Sequence, residues 1–196
     1  MLFVVRQAIL RARLSEQEYL EFERSSPEKH EYADGEIFEI PGGTFAHSVV
    51  TANIVGEAWN ALADRRWRVL GSNMRVKVAA TGRYVYPDVL IVGERPELTD
   101  ETRDTLLNPR LIVEVLSDST EAYDRGDKFA GYRTIASFQE YVLASQKQPR
   151  IEVFTRQPDG SWTLRIYGPG ERAVLASVEC SIEVDKVYEG VHDTGA

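Results

Sequence analysis

Two apolar runs, each broken by one acid, constrain this chain more than any other feature. Residues 84–92 read Tyr-Val-Tyr-Pro-Asp-Val-Leu-Ile-Val, and residues 111–116 read Leu-Ile-Val-Glu-Val-Leu. Near-continuous apolar segments of this length suit strands covered on both faces, so the chain is expected to form an α/β fold around an interior sheet. A carboxylate inside such a strand loses hydration at a cost of several kcal/mol unless a cation, a metal or a proton compensates it. Asp88 and Glu114 stand in that position, and two acids on consecutive long strands could converge on one metal. Pro87 cannot donate to a sheet ladder, so Asp88 is expected where the strand bends. The plainer accounts are a Pro-Asp turn at Asp88 and a strand-end acid paired with an arginine at Glu114.

The surrounding pattern alternates helices with strands. Ser15 to Glu18 is a capping box, which predicts a helix from about Glu16 to Glu23. Asp34-Gly35 predicts a two-residue hairpin turn between short strands within residues 29–40. Pro41-Gly42-Gly43 breaks the second strand, and Thr44 can cap a long helix over Phe45 to Asp64. That helix is apolar on more than one face, as for a helix packed between layers. Val69 to Val78 reads as one strand with an irregularity at Gly71 and Asn73, followed by a turn at Thr81-Gly82 and a strand over Tyr84 to Val92. Residues 93–109 read as loop with at most one helical turn. A helix over Tyr123 to Ile135, with Phe129, Tyr132 and Ile135 inward, precedes a strand over Phe138 to Ala144. A β-hairpin over Ile151 to Thr155 and Trp162 to Tyr167 turns at Pro158-Asp159-Gly160. A short strand at Ala173 to Leu175 and a tail at Ile182 to Tyr188 end the chain. The order suggests a mixed central sheet flanked by helices, with a C-terminal β-hairpin.

Lys128 supplies a cation near the two acids. It follows strand 111–116 closely and lies four residues after Asp124, so a solvated surface ion pair is the plain account. It also shares a helix face with Tyr132 and Ile135, which should turn toward the sheet. A lysine on that side, beside a strand bearing Glu114, can serve a site.

Composition bounds what the site could serve. The 196 residues suit one domain, and 43% are hydrophobic, enough for a sizeable core. No run of eighteen apolar residues occurs, so no membrane span is expected. The apolar Met1 to Leu10 contains Arg6 and Gln7 and does not read as a signal peptide. The lone Cys180 excludes an intrachain disulfide and fits a reducing cytoplasm. A net charge of −8 argues against broad non-specific nucleic-acid binding, although carboxylates gathered for a metal make a chain acidic by themselves. Arg65, Arg66 and Arg68 around Trp67 form the densest basic cluster, read first as a solvated helix end.

The ordered set Pro87-Asp88, Glu114-Val115-Leu116-Ser117, Ser119-Thr120, Asp124, Lys128 to Tyr132 and Glu140-Tyr141-Val142 resembles the Uma-two endonuclease family of the PD-(D/E)XK, or restriction-endonuclease-like, superfamily. The resemblance runs from about Ser15 to Ala176 and includes the Asp34-Gly35-Glu36 hairpin and His47. It implies a single restriction-endonuclease-like domain over residues 14–196, with residues 1–13 as an N-terminal extension. The superfamily's usual lysine lies two residues after the acid, where this chain has Leu116, so the resemblance implies that the role has moved to Lys128. The implied activity is metal-dependent hydrolysis of DNA phosphodiesters. Asp88, Glu114 and the Val115 carbonyl would bind Mg²⁺ or Mn²⁺, and Lys128 would orient the attacking water or stabilise the transition state. Glu36, His47 and Tyr132 are accessory candidates. For His47 a packed, hydrogen-bonded histidine is the plain account, and for Tyr132 a core position. DNA would be the substrate and a homodimer the expected assembly, by analogy with the superfamily. The competing reading is a non-catalytic binding or assembly module on the same fold.

Overall fold

The computed structural model describes residues 13–40, 42–63 and 66–191. Most of the expected extension, Pro41, Asp64 and Arg65 therefore lie outside the described residues. The fold is anchored from Leu14 onward: Leu14 N–H donates to Gly35 O (2.8 Å), and Leu14 O accepts from Tyr32 Oη (2.8 Å).

Helix α1 (Glu16–Ser25) starts at the expected capping box, in which Ser15 Oγ accepts from Glu18 N–H and the Glu18 carboxylate accepts from Ser15 N–H. Strands β1 (His30–Ala33) and β2 (Glu36–Glu39) pair antiparallel, with Ala33 opposite Glu36. Asp34 and Gly35 between them have φ of 53° and 87°, the left-handed pair that a tight hairpin requires and that Gly35 adopts without strain. Thr44 caps α2 (Phe45–Leu62) through His47 N–H.

Two long segments read as single strands are each divided between two sheets. Residues 69–78 become β3 (Arg68–Gly71) and β4 (Arg75–Val78), and residues 84–92 become β5 (Arg83–Val85) and β6 (Val89–Val92). The break in the second is Tyr86-Pro87-Asp88, where the missing proline N–H ends the ladder. Residues 93–109 hold no helical turn; they contain β7 (Thr105–Leu106), which runs parallel to β4. Strand β8 (Leu111–Leu116) is buried throughout.

The helix expected from Tyr123 to Ile135 runs instead from Glu121 to Tyr132. It comprises α3 (Glu121–Tyr123), a π-helical turn over Asp124–Lys128, and α4 (Phe129–Tyr132). Strand β9 (Glu140–Ser145) lies parallel to β8, and the hairpin β10 (Ile151–Arg156) with β11 (Trp162–Tyr167) continues that sheet. The tail forms a second, separate hairpin: β12 (Arg172–Leu175) pairs with β13 (Cys180–Glu183), and α5 (Val184–Val187) follows.

The main sheet has the order β11-β10-β9-β8-β6-β3, and a five-stranded sheet has the order β2-β1-β5-β4-β7. Alternation along β8 assigns the two faces. Leu111, Val113 and Val115 join the cluster formed by α2 residues Val50, Ile54 and Ala58 and by the C-terminal hairpin. Ile112 and Leu116 join Val76, Val85, Tyr132 and Phe138 on the other face. This double cover explains the continuous apolar runs, and it aims Glu114 at the helical segment after β8.

Candidate active site

The break between β5 and β6 sets Asp88 beside β8. Its Oδ2 accepts from Val115 N–H (2.7 Å) and lies 3.3 Å from His47 Nε2. That hydrogen bond, opposed by burial, holds the imidazole above its ordinary range. Glu114, next along β8, is only 3% exposed. Its Oε1 accepts from Lys128 Nζ (3.0 Å) and from Tyr132 Oη (2.9 Å). Asp88, Glu114, Lys128 and His47 line one cavity of about 600 Å³, together with Glu31 and Asp124.

Lys128 is 8% exposed, so the plain account of a solvated pair with Asp124 is replaced by a buried one at 3.2 Å. A third acid, Glu31 of β1, is 3.4 Å from the ammonium. Burial alone would discharge this lysine, but Glu114, Glu31 and Asp124 outweigh it and raise its pKa well above the usual value. Burial, reinforced by Asp124, Asp88 and Glu31 against Lys128, pushes the Glu114 carboxyl well up. Three acids, Glu31, Glu114 and Asp124, stand around Lys128, with Asp88 nearby in the same cavity.

Glu36 does not line the cavity. Ala33 pairs with Glu36 and Glu31 with Phe38, so all four side chains share one face of the hairpin. Glu36 lies at the turn, and Glu31 is two residues up the strand, about 7 Å nearer the cavity. Glu31 was not selected in the sequence reading, and Asp124 entered it only as a surface partner of Lys128 and within the resemblance. Tyr132 has both roles that were open to it: its ring is in the core and its hydroxyl holds Glu114. Arg66 and Arg68 are exposed, and Arg66 pairs with Glu94 at 3.7 Å, in keeping with a solvated segment.

The donors suit a hard cation. They are carboxylate oxygens and a backbone carbonyl, the ligands Mg²⁺ and Mn²⁺ favour, and Mg²⁺ typically takes one or two carboxylates and keeps several waters. Among the described residues no three His, Cys, Asp or Glu side chains form a ready metal cage. Neither Asp88 nor Glu114 is matched by an arginine there; His47 stands beside Asp88, and Lys128 pairs with Glu114. No helix of the described residues is long and apolar enough to cross a membrane.

The site geometry can be set beside known proteins. An uncharacterized protein of Synechocystis sp. is 35% identical over 179 residues, covering 91% of this chain and 93% of the relative. A second uncharacterized protein of that organism is 38% identical over 151 residues, 77% of this chain and 85% of its own length. The crystal structure of "a putative nuclease belonging to DUF820" from Anabaena variabilis superposes with a TM-score of 0.72 at 15% identity, covering 91% of this chain and 99% of that one. This likeness supports the restriction-endonuclease-like fold. The Uma2 family, described as "Putative restriction endonuclease", matches residues 16–185, and this chain belongs to that family.

Proposed function

We propose that this chain is a metal-dependent endonuclease that hydrolyses DNA phosphodiester bonds. The observation that carries the reading is the buried Lys128 ammonium 3.0 Å from Glu114, in a cavity that also holds Asp88. Burial makes the Glu114 and Lys128 charges costly to keep for packing alone. Asp88, Glu114 and the Val115 carbonyl would hold Mg²⁺ or Mn²⁺, which when bound supplies Lewis acidity and activates water.

The chain's own groups do the rest. Val115 N–H fixes Asp88, and Tyr132 Oη fixes Glu114. Lys128 brings a preorganised positive charge to a phosphate entering the cavity, where transition-state charge develops. The cavity walls keep that charge out of bulk water and so preserve its strength. Paired sites in a cytoplasmic homodimer would cut both strands, and light scattering on the purified protein checks that assembly.

The test separates chemistry from binding. Lys128→Ala should lower the cleavage rate by about 10²–10³-fold while changing DNA affinity far less. Equal cutting by Lys128→Ala and wild type would remove Lys128 from the mechanism. The second reading, a non-catalytic module, draws on the net charge of −8. It becomes the better account if the wild type binds no divalent cation and cuts no nucleic acid.

A further inference from the structure

Three carboxylates from three separate elements surround the Lys128 ammonium. Glu31 of β1, Glu114 of β8 and Asp124 of the π-helical turn approach Nζ at 3.4, 3.0 and 3.2 Å. All three acids are at most 3% exposed. Of the three, Glu114 accepts a hydrogen bond from Nζ, while Glu31 and Asp124 stand within ion-pair distance of the same ammonium. Asp124 Oδ1 is buried and makes no hydrogen bond among the described residues; it faces the lysine charge. Asp88 is oriented differently, its Oδ2 engaged by Val115 N–H and His47. Of these acids, Asp88 and Glu114 stand on the paired strands β6 and β8 or just before them, whereas Glu31 and Asp124 come from β1 and the π-helical turn.

We propose that Glu31 and Asp124 are positioning residues that act through Lys128, clamping its ammonium against Glu114 and leaving the metal to Asp88 and Glu114. The π-helical turn contributes to this clamp. Asp124 and Lys128, four residues apart and so on one face, are both buried in that turn. A lysine has a long flexible stem and loses much rotamer freedom when held in one pose, so a reactive geometry at its tip needs fixed partners. Glu114 would then be shared, one oxygen to lysine and tyrosine and the other toward the metal. The inference rests on the nuclease reading for its catalytic consequence, but the clamp itself can be observed without cleavage.

The test uses Glu31→Gln and Asp124→Asn in the full chain. In lysine-Nζ NMR without metal or DNA, the wild type should show exchange-protected Lys128 ammonium protons, and either substitution should remove the protection. Mn²⁺ affinity measured by calorimetry should fall far less than it does on Asp88→Asn, which removes a proposed ligand. The single-turnover cleavage rate should fall at least about tenfold. In a Lys128→Met background, Asp124→Asn should produce no further fall, because groups acting as a unit are not additive. A Mn²⁺ affinity loss above tenfold with Lys128 still protected would make the two acids metal ligands and overturn the proposal. Additive rate losses in the Lys128→Met background would overturn it too. Protected Lys128 protons with no cleavage by the wild type would support the clamp while rejecting the nuclease reading. If Asp124→Asn does not fold, Glu31→Gln decides by the same criteria.

Discussion

Lys128 keeps its charge in a place where an isolated ammonium would lose it, because carboxylates meet it at 3.0–3.4 Å. Removing the cation leaves the acids to repel one another in a poorly solvated cavity. Lys128→Met should therefore cost about 3–5 kcal/mol in urea unfolding of the metal-free protein, and Mn²⁺ should return part of that loss. An unchanged midpoint would mean the acids are already neutral. His47 reports on Asp88. Its folded pKa is raised chiefly by the hydrogen bond to Asp88, with burial opposing. A raised histidine pKa contributes stability that is fully present below the unfolded value of about 6.5 and is lost as pH rises through the folded value. The His47 NMR titration midpoint should lie above 6.5 and fall in Asp88→Asn; a midpoint indifferent to that substitution would separate His47 from the site. Asp88, Glu114 and Lys128 were legible in the sequence because an acid in an apolar strand and a lysine on an inward helix face are both physically anomalous. Glu31 was not, since its local pattern is that of any short hairpin strand. Only the three-dimensional register shows that Glu31, rather than Glu36, reaches the cavity.

The helical segment after β8 does more than cover the sheet. Its π-helical turn buries Asp124 and Lys128 together, while Arg125 in the same turn faces outward to Glu152 of β10 with two contacts of 2.8 and 3.0 Å. Glu152 is buried, so the pair ties the turn to β10 of the main sheet. Arg125→Ala should lower stability by about 1–3 kcal/mol, measured by denaturant titration, because a buried carboxylate loses its bidentate partner. A negligible change would show that Arg150, 3.0 Å from the same carboxylate, suffices alone. Element positions were largely readable, because caps and turns carry their own chemistry: Ser15 with Glu18, Thr44, and Asp34-Gly35. Two strand divisions were not. Apolar residues continue on both sides of Gly71–Asn73 and of Tyr86–Asp88, and the pattern does not record a change of sheet. The π-helical turn was hidden for a similar reason, since i→i+4 and i→i+5 turns draw on the same residues.

At the scale of the molecule, the main sheet is covered by α2 and the C-terminal hairpin on one face and by the helical segment and the smaller sheet on the other. The site lies where β8, the β5–β6 break, β1 and the N-terminal end of α2 meet. A net charge of −8 is compatible with the proposed reading, in which acids gather around a bound cation. Metal that binds only the folded site should raise the melting temperature, by the equivalent of about 2.7 kcal/mol at a hundredfold excess over Kd. Glu114→Gln should abolish that rise. The most direct measurement of the central claim is plasmid cleavage against Mn²⁺ concentration, with wild type and Glu114→Gln side by side and chelator as the stop. The account predicts metal-dependent nicking or cutting by the wild type, ended by chelator, and a loss of at least about 10² in rate for Glu114→Gln. Cleavage that persists in chelator, or at the wild-type rate in Glu114→Gln, would contradict it.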